Sequence, residues 1–228
     1  MHAIEKLLAE KAGKEQVVTG EIVNCDVDIA GINDLYLQTV RSFYEMGGEQ
    51  VFDADKIVMF FDHYAPCATI TQAENHKQFR EFCTEQGIEK LMDIDQGVCH
   101  QVLADKGLVH PGEIVVVTDS HTTTHGAFGA FGTGVGATDL ATIMITGKLW
   151  FMVPEIFKID LVVNCSQEFL LRISFCISLA TWEQITVFIR RWNLLGLWYR
   201  NLAFRKECAC AICRQRWAAK PATSSRTL

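Results

Sequence analysis

The sequence contains no uncharged apolar run of 18 residues. Its longest apolar stretch, near the end, is cut by Arg172, Glu183, Arg190 and Arg191, so no membrane-spanning helix is expected. It has no excess of basic charge. Twenty-one Lys/Arg stand against 27 Asp/Glu, a net of −6, which gives no support to nucleic-acid binding. The opening MHAIEKLLAEKAGKE is charged and lacks the apolar core of a secretory leader. Nine cysteines without such a leader are expected as reduced thiols, and the expected location is cytoplasmic. Disorder, collagen and coiled coil are all disfavoured. With 49% apolar and 21% charged residues, the balance is that of a globular chain with one large or two small domains.

Two further scarcities are local. Only Gly196 of the 16 glycines follows residue 160, and no histidine follows His125. Residues 1–160 carry 11 Lys/Arg and 24 Asp/Glu, whereas residues 161–228 carry 10 and 3. Four of five tryptophans and five of nine cysteines fall in those last 68 residues. Two compositions are joined end to end.

The first part reads as alternating helices and strands. His2–Lys14 has the spacing of a short amphipathic helix, and Val17–Val27 is β-rich. Asp34–Met46 has helical spacing and stops at Gly47-Gly48. Lys56–Phe61 and Glu113–Thr118 are short continuous apolar runs, as expected of strands buried on both faces. Thr71–Gln86, Gly97–Lys106 and Ala137–Ile145 read as helices, and Gly126–Gly136 as a glycine-rich loop. This alternation predicts an α/β fold with a parallel sheet covered on both sides. Ligands of such sheets sit beyond the carboxyl ends of the strands.

Two strands end there on chemistry. One runs into Asp62-His63, the other into Asp119-Ser120-His121, and His100 heads a nearby helix. A carboxylate beside a histidine fixes its tautomer and raises its basicity, which suits proton transfer. Singly, such residues are also ordinary caps and turn formers. The His121-x-x-x-His125 pair lacks a following glutamate and lies in a Thr/Gly setting, so zinc is not expected. Gly129–Gly136 lacks the Lys-Ser/Thr of a phosphate loop and the strand-then-glycine order of a dinucleotide fold. Close approach of a neighbouring backbone is the expected reason for these glycines.

Residues Val116–Thr122, Gly126–Gly129 and Gly134–Asp139 resemble the aconitase superfamily, in its branch of 3-isopropylmalate dehydratase large subunits, homoaconitases and 2,3-dimethylmalate dehydratases. Asp62-His63 with Pro66, Gly97–Gln101, Gly147–Trp150 and Val153–Glu155 fit the same family in the same order. The resemblance covers about residues 1–160. It implies a three-layer α/β/α domain with a mostly parallel sheet, the N-terminal portion of a larger subunit. It implies a hydro-lyase of amino-acid (leucine) biosynthesis that moves water across a C–C bond of a hydroxy acid. It also implies a [4Fe–4S] cluster and a small partner subunit in the intact enzyme. By the same resemblance Asp62, His63, His100, Asp119, Ser120 and His121 are active-site residues, and Gln38 contacts substrate.

The departures are as specific. The family's cluster cysteines, in a Gly-Ser-Cys-Thr-Asn-Gly segment and a later Cys-x-x-Cys, have no counterpart here. No cluster and no protein metal ligand are therefore expected in this chain. Cys210-x-x-Cys213 has no second cysteine pair at finger spacing.

Residues 161–228 read as an out-of-frame translation with no native domain and an irregular structure. Tryptophan has a single codon, so a shift of one nucleotide turns Trp182-Glu183 and Trp217-Ala218 into glycine, Trp192-Asn193 into glutamate and Trp198-Tyr199 into valine. The same frame lets residues from Gln167 onward read as a Gly-Val-Phe-Ala-Lys-Asp run, which resembles the family's next segment. Such a chain is expected to be inactive alone. The alternative is a non-catalytic α/β fragment or binding module with a basic tail.

Overall fold

The computed structural model describes residues 1–35 and 37–156 with side chains, and the backbone of 157–159, 186–189, 192–194, 197–199 and 202–205. Five strands, β2 (Ile29–Asn33), β3 (Ile57–Phe60), β4 (Leu91–Met92), β5 (Ile114–Val117) and β6 (Phe131–Gly134), form one sheet in the order β4-β3-β2-β5-β6. Every pairing in it is parallel. A parallel sheet is covered on both faces, which is why β3 and β5 are apolar at every position and fully buried.

The period of two along each strand divides the core. Ile57, Met59, Ile114 and Val116 pack with Leu8 of α1 (Ala3–Lys11), Phe43 of α2 (Leu37–Glu45), Phe79 of α3 (Ile70–Gln86) and Ile143 of α5 (Ala137–Thr146). Val58, Phe60, Val115 and Val117 join Val102 and Leu103 of α4 (Cys99–Asp105) on the other face. The fold is therefore the expected three-layer α/β/α arrangement, with one thick helical layer and one thin one.

Local sequence sets the helix limits. Thr69 and Gln72 close a reciprocal capping box at the start of α3, worth about 1 kcal/mol, and Gly87 ends the helix with φ 69°. Gly147, at φ 71°, ends α5.

Four expectations need correction. Helix α2 begins at Leu37 rather than Asp34, because the Asp34 carboxylate is occupied by backbone N–H groups of a neighbouring loop. Within Val17–Val27 only β1 (Ile22–Asp26) is a strand. It pairs antiparallel with β7 (Lys148–Met152), outside the main sheet, and β2 follows as a separate strand. The expected loop Gly126–Gly136 is a 3-10 turn, Ser120–Phe128, followed by β6. Its glycines do serve close approach. A Cβ on Gly132 would strike the Thr122 carbonyl, and one on Gly134 the Asp119 carbonyl. Finally, the backbone described beyond residue 155 is extended rather than irregular. Strand β8 (Ile156–Ile159) pairs parallel with β9 (Thr186–Ile189), which pairs antiparallel with β12 (Leu202–Arg205), and β10 (Trp192–Leu194) pairs with β11 (Leu197–Tyr199). Runs such as Thr186–Ile189 are β-branched or aromatic, which favours strands whatever their origin. The remaining residues of 160–228, where the out-of-frame reading falls, lie outside the described residues, as does Tyr36.

Candidate active site

The chain adds β3 and β4 on one side of β2, then crosses to add β5 and β6 on the other. Strand order thus reverses at β2, and the crevice at the carboxyl ends of β2 and β5 is where such a sheet binds ligands. Three strands converge their ends on it.

Strand β2 delivers Asn33 and Asp34. The Asn33 N–H donates to Thr118 Oγ1 at 3.1 Å, tying the ends of β2 and β5 together. The Asp34 carboxylate is fully buried. It accepts the backbone N–H groups of His63 (3.0 Å) and Tyr64 (2.8 Å) and lies 3.0 Å from His76 Nε2. A carboxylate is acceptor-only, so the first two contacts anchor the turn after β3 and the third ties it to α3.

Strand β3 delivers Asp62 and His63. Asp62 is 1% exposed, and its Oδ2 accepts the Cys99 N–H of α4 at 2.8 Å. Its Oδ1 lies 2.7 Å from His63 Nδ1. That contact assigns the ring hydrogen to Nδ1 and leaves Nε2 with its lone pair, 3.8 Å from Asp119 Oδ2.

Strand β5 delivers Asp119. Its Oδ1 accepts from His100 Nε2 (2.8 Å), from the His121 N–H (2.7 Å) and from His121 Nδ1 (3.0 Å). The His100 hydrogen bond, joined by the His121 backbone bond and the His100 charge, outweighs burial and holds the Asp119 carboxyl well below the usual carboxylate range. Behind His100 stands His125, completely buried, with Nε2 3.4 Å from His100 Nδ1. Burial, and then the nearby His100, push its imidazole down to about 4. Its Nδ1 has no hydrogen-bond partner among the described residues.

Five of the expected residues, Asp62, His63, His100, Asp119 and His121, are therefore within one connected constellation. Ser120 is exposed at its mouth. Gln38 is exposed in the first turn of α2 and makes no hydrogen bond to these residues. Asp34 and His76 went unassigned in the sequence. An aspartate directly after a buried strand was the available signal for the first, whereas His76 sits inside a helix of unremarkable polarity.

Two sets, His100/Asp119/His121 and Asp34/Asp62/His63, bring their donor atoms within 4.8 Å of one another. Hydrogen bonds already occupy both Asp34 oxygens and Asp119 Oδ1.

A sequence profile of the aconitase family (aconitate hydratase) matches residues 6–169. The chain belongs to the aconitase family. A probable 3-isopropylmalate dehydratase large subunit of Methanothermobacter thermautotrophicus is 52% identical over 161 residues, 70% of this chain and 38% of that protein. The 3-isopropylmalate dehydratase large subunit 1 of Methanopyrus kandleri is 50% identical over 158 residues, 69% of this chain and 38% of that protein. A probable methanogen homoaconitase large subunit of M. thermautotrophicus is 48% identical over 165 residues, 70% and 39% respectively. This aconitase-family chain thus spans about 38% of the length of the relatives it matches.

The aconitase family implies a [4Fe–4S] cluster in its intact proteins. The described cysteines do not fit one. Cys25, Cys83 and Cys99 are buried on three different elements. Burial pushes Cys25 up to about 11 and Cys83 up to about 12, and raises Cys99 as well, so all three stay protonated thiols. Neither donor set includes a cysteine. No helix among the described residues is long and apolar enough to cross a membrane.

Proposed function

We propose that this chain carries the acid–base part of a hydro-lyase site of the 3-isopropylmalate dehydratase type, acting on a small hydroxy acid. One observation carries the reading. His63 Nε2 and Asp119 Oδ2 face each other across 3.8 Å at the sheet's switch point, from two strand ends braced by separate hydrogen-bond networks.

Removing water from a hydroxy acid requires a proton for the departing hydroxyl. His63, oriented by Asp62, handles that proton at Nε2, giving it up from the doubly protonated ring. Asp62 is itself fixed by the Cys99 N–H, so the ring presents Nε2 to the crevice. Asp119 orients both His100 and His121, holding two imidazoles at fixed angles on the opposite wall. Ser120, exposed beside Asp119, is assigned to the catalytic set, and the exposed Gln38 to substrate contact. The iron–sulfur chemistry of the intact family has no seat among the described residues, so the chain alone is expected to be inactive. A small partner subunit would complete the enzyme, in the cytoplasm.

We further infer that residues 161–228 are an out-of-frame translation. The composition break and the four codon-forced residues support this. Reading the gene one nucleotide over near codon 165 tests both inferences. The restored chain, expressed anaerobically with a small subunit, should dehydrate 3-isopropylmalate, while the present chain should neither turn over nor take up a cluster. A shifted frame without the missing cysteine motifs removes the out-of-frame reading. Stoichiometric [4Fe–4S] and turnover in the present chain overturn its expected inactivity. A restored chain that binds its cluster but turns over no hydroxy acid favours the non-catalytic alternative.

A further inference from the structure

A second chemical constellation lies behind the first. Cys67 Sγ is 3.1 Å from His76 Nδ1, and His76 Nε2 is 3.0 Å from the buried Asp34 Oδ2. The His76 side chain is 1% exposed and its ring stacks on Phe61 at a centroid distance of 4.0 Å, nearly parallel. Cys67 itself is half-buried, whereas Cys25, Cys83 and Cys99 are buried.

The hydrogen-bond roles follow from Asp34. Its carboxylate can only accept, so His76 carries its hydrogen on Nε2 and turns a bare Nδ1 to the thiol. That is the order nucleophile, base, orienting carboxylate. The Phe61 ring and the burial of His76 keep water from competing for Nδ1. The Arg80 guanidinium lies 4.9 Å from the Phe61 ring centroid.

We propose that Cys67, His76 and Asp34 form a nucleophilic thiol site that reacts with small soft carbon electrophiles. The thiol proton passes from Sγ to His76 Nδ1, and Asp34 stabilises the imidazolium. The sulfur lone pair then forms a C–S bond as the carbon–leaving-group bond breaks. With iodoacetamide, iodide departs with the bonding pair, and His76 returns its proton to solvent. Nothing is oxidised or reduced. Asp34 also holds the His63 and Tyr64 N–H groups, so this site and the crevice share one buried anchor.

The test uses the full chain and iodoacetamide at pH 7. Cys67 is the sole cysteine of the tryptic peptide 57–77, so its labelling is read separately from all others. The expected native rate at Cys67 is about tenfold above that of the same peptide in the urea-unfolded chain, a modest share of what a positioned base contributes. His76→Gln and His76→Asn should bring a folded variant back to the unfolded rate. A wild-type native rate equal to or below the unfolded rate overturns the proposal, whether or not either variant folds. So does an unchanged rate in a folded His76 variant.

Discussion

The strand ends of β3 and β5 carry the same residue types and use them oppositely. Around the β3 end, both carboxylates, Asp62 and the Asp34 that β2 supplies, are sealed from solvent and bond chiefly to backbone N–H groups, while His63 stands a third exposed. After β5, the carboxylate Asp119 is partly open and gathers imidazoles around it, while the most buried group is a histidine, His125. The first arrangement spends charge on fixing the chain path, and the second on fixing proton positions. Identical side chains become scaffold or reagent according to which of them meets water.

That contrast can be broken. In the frame-restored subunit, His100→Ala or Asp119→Ala should lower turnover by about 10²–10⁴, the usual contribution of a general acid or base. Near-wild-type rates in both would remove the reagent role of the β5 edge. Asp34→Ala should act on stability instead. It leaves two part-buried N–H groups and the buried His76 without their acceptor, at a cost of about 4 kcal/mol in urea unfolding. A loss below about 1 kcal/mol would erase the distinction between the two edges.

The pH dependence sharpens it. The His125 imidazole sits at about 4 in the folded chain, against about 6.5 when free. Between those values the unfolded chain binds the proton and the folded chain does not. Stability should therefore fall by on the order of 3 kcal/mol as pH drops from 6.5 towards 4, and His125→Gln should flatten the slope. Asp119 is lowered too, but as an acid it contributes stability at all higher pH and loses it only as pH falls below the ordinary carboxylate value of about 3.9. The smallest effect belongs to the backbone between the edges. A Cβ on Gly134 would lie 3.0 Å from the Asp119 carbonyl carbon and 3.1 Å from Ser120 Cα. Gly134→Ala should cost about 2 kcal/mol. Calorimetry on this one variant checks whether Asp119 is positioned by that close approach.

What could be read in the sequence was what repeats a physical pattern. Strands β3 and β5 were legible because burial on both faces forces an unbroken apolar run, and their ends named Asp62, His63, Asp119 and His121 at once. The purpose of Gly132 and Gly134 was legible too, although their place in a strand was not, since glycine weakens any strand signal. Strand β2 was hidden for the same reason. Its Gly31 is needed because a Cβ there would come within 2.9 Å of Val117, and it interrupts the pattern. Asp34 went unassigned with it. His76 left no local trace at all. Its partners Cys67 and Asp34 are brought together only by the turn after β3 and the packing of α3 on the sheet.

The antiparallel ribbon of β1 and β7 sets the order in which this molecule can be finished. Register pairs Ile22 with Met152, so the first strand of the chain waits for the last strand of the α/β layer. Closing a loop of roughly 130 residues costs on the order of 4 kcal/mol of chain entropy. That cost falls only once the parallel sheet has already drawn the two ends near. The Asp34–Asp62–His76 anchor uses residues no later than Cys99, whereas the His100–Asp119 pair needs strand β5 and its glycine-lined neighbour β6. On a ribosome, the scaffold half of the crevice is therefore available first, the proton-handling half second, and the β1–β7 clasp last of these three.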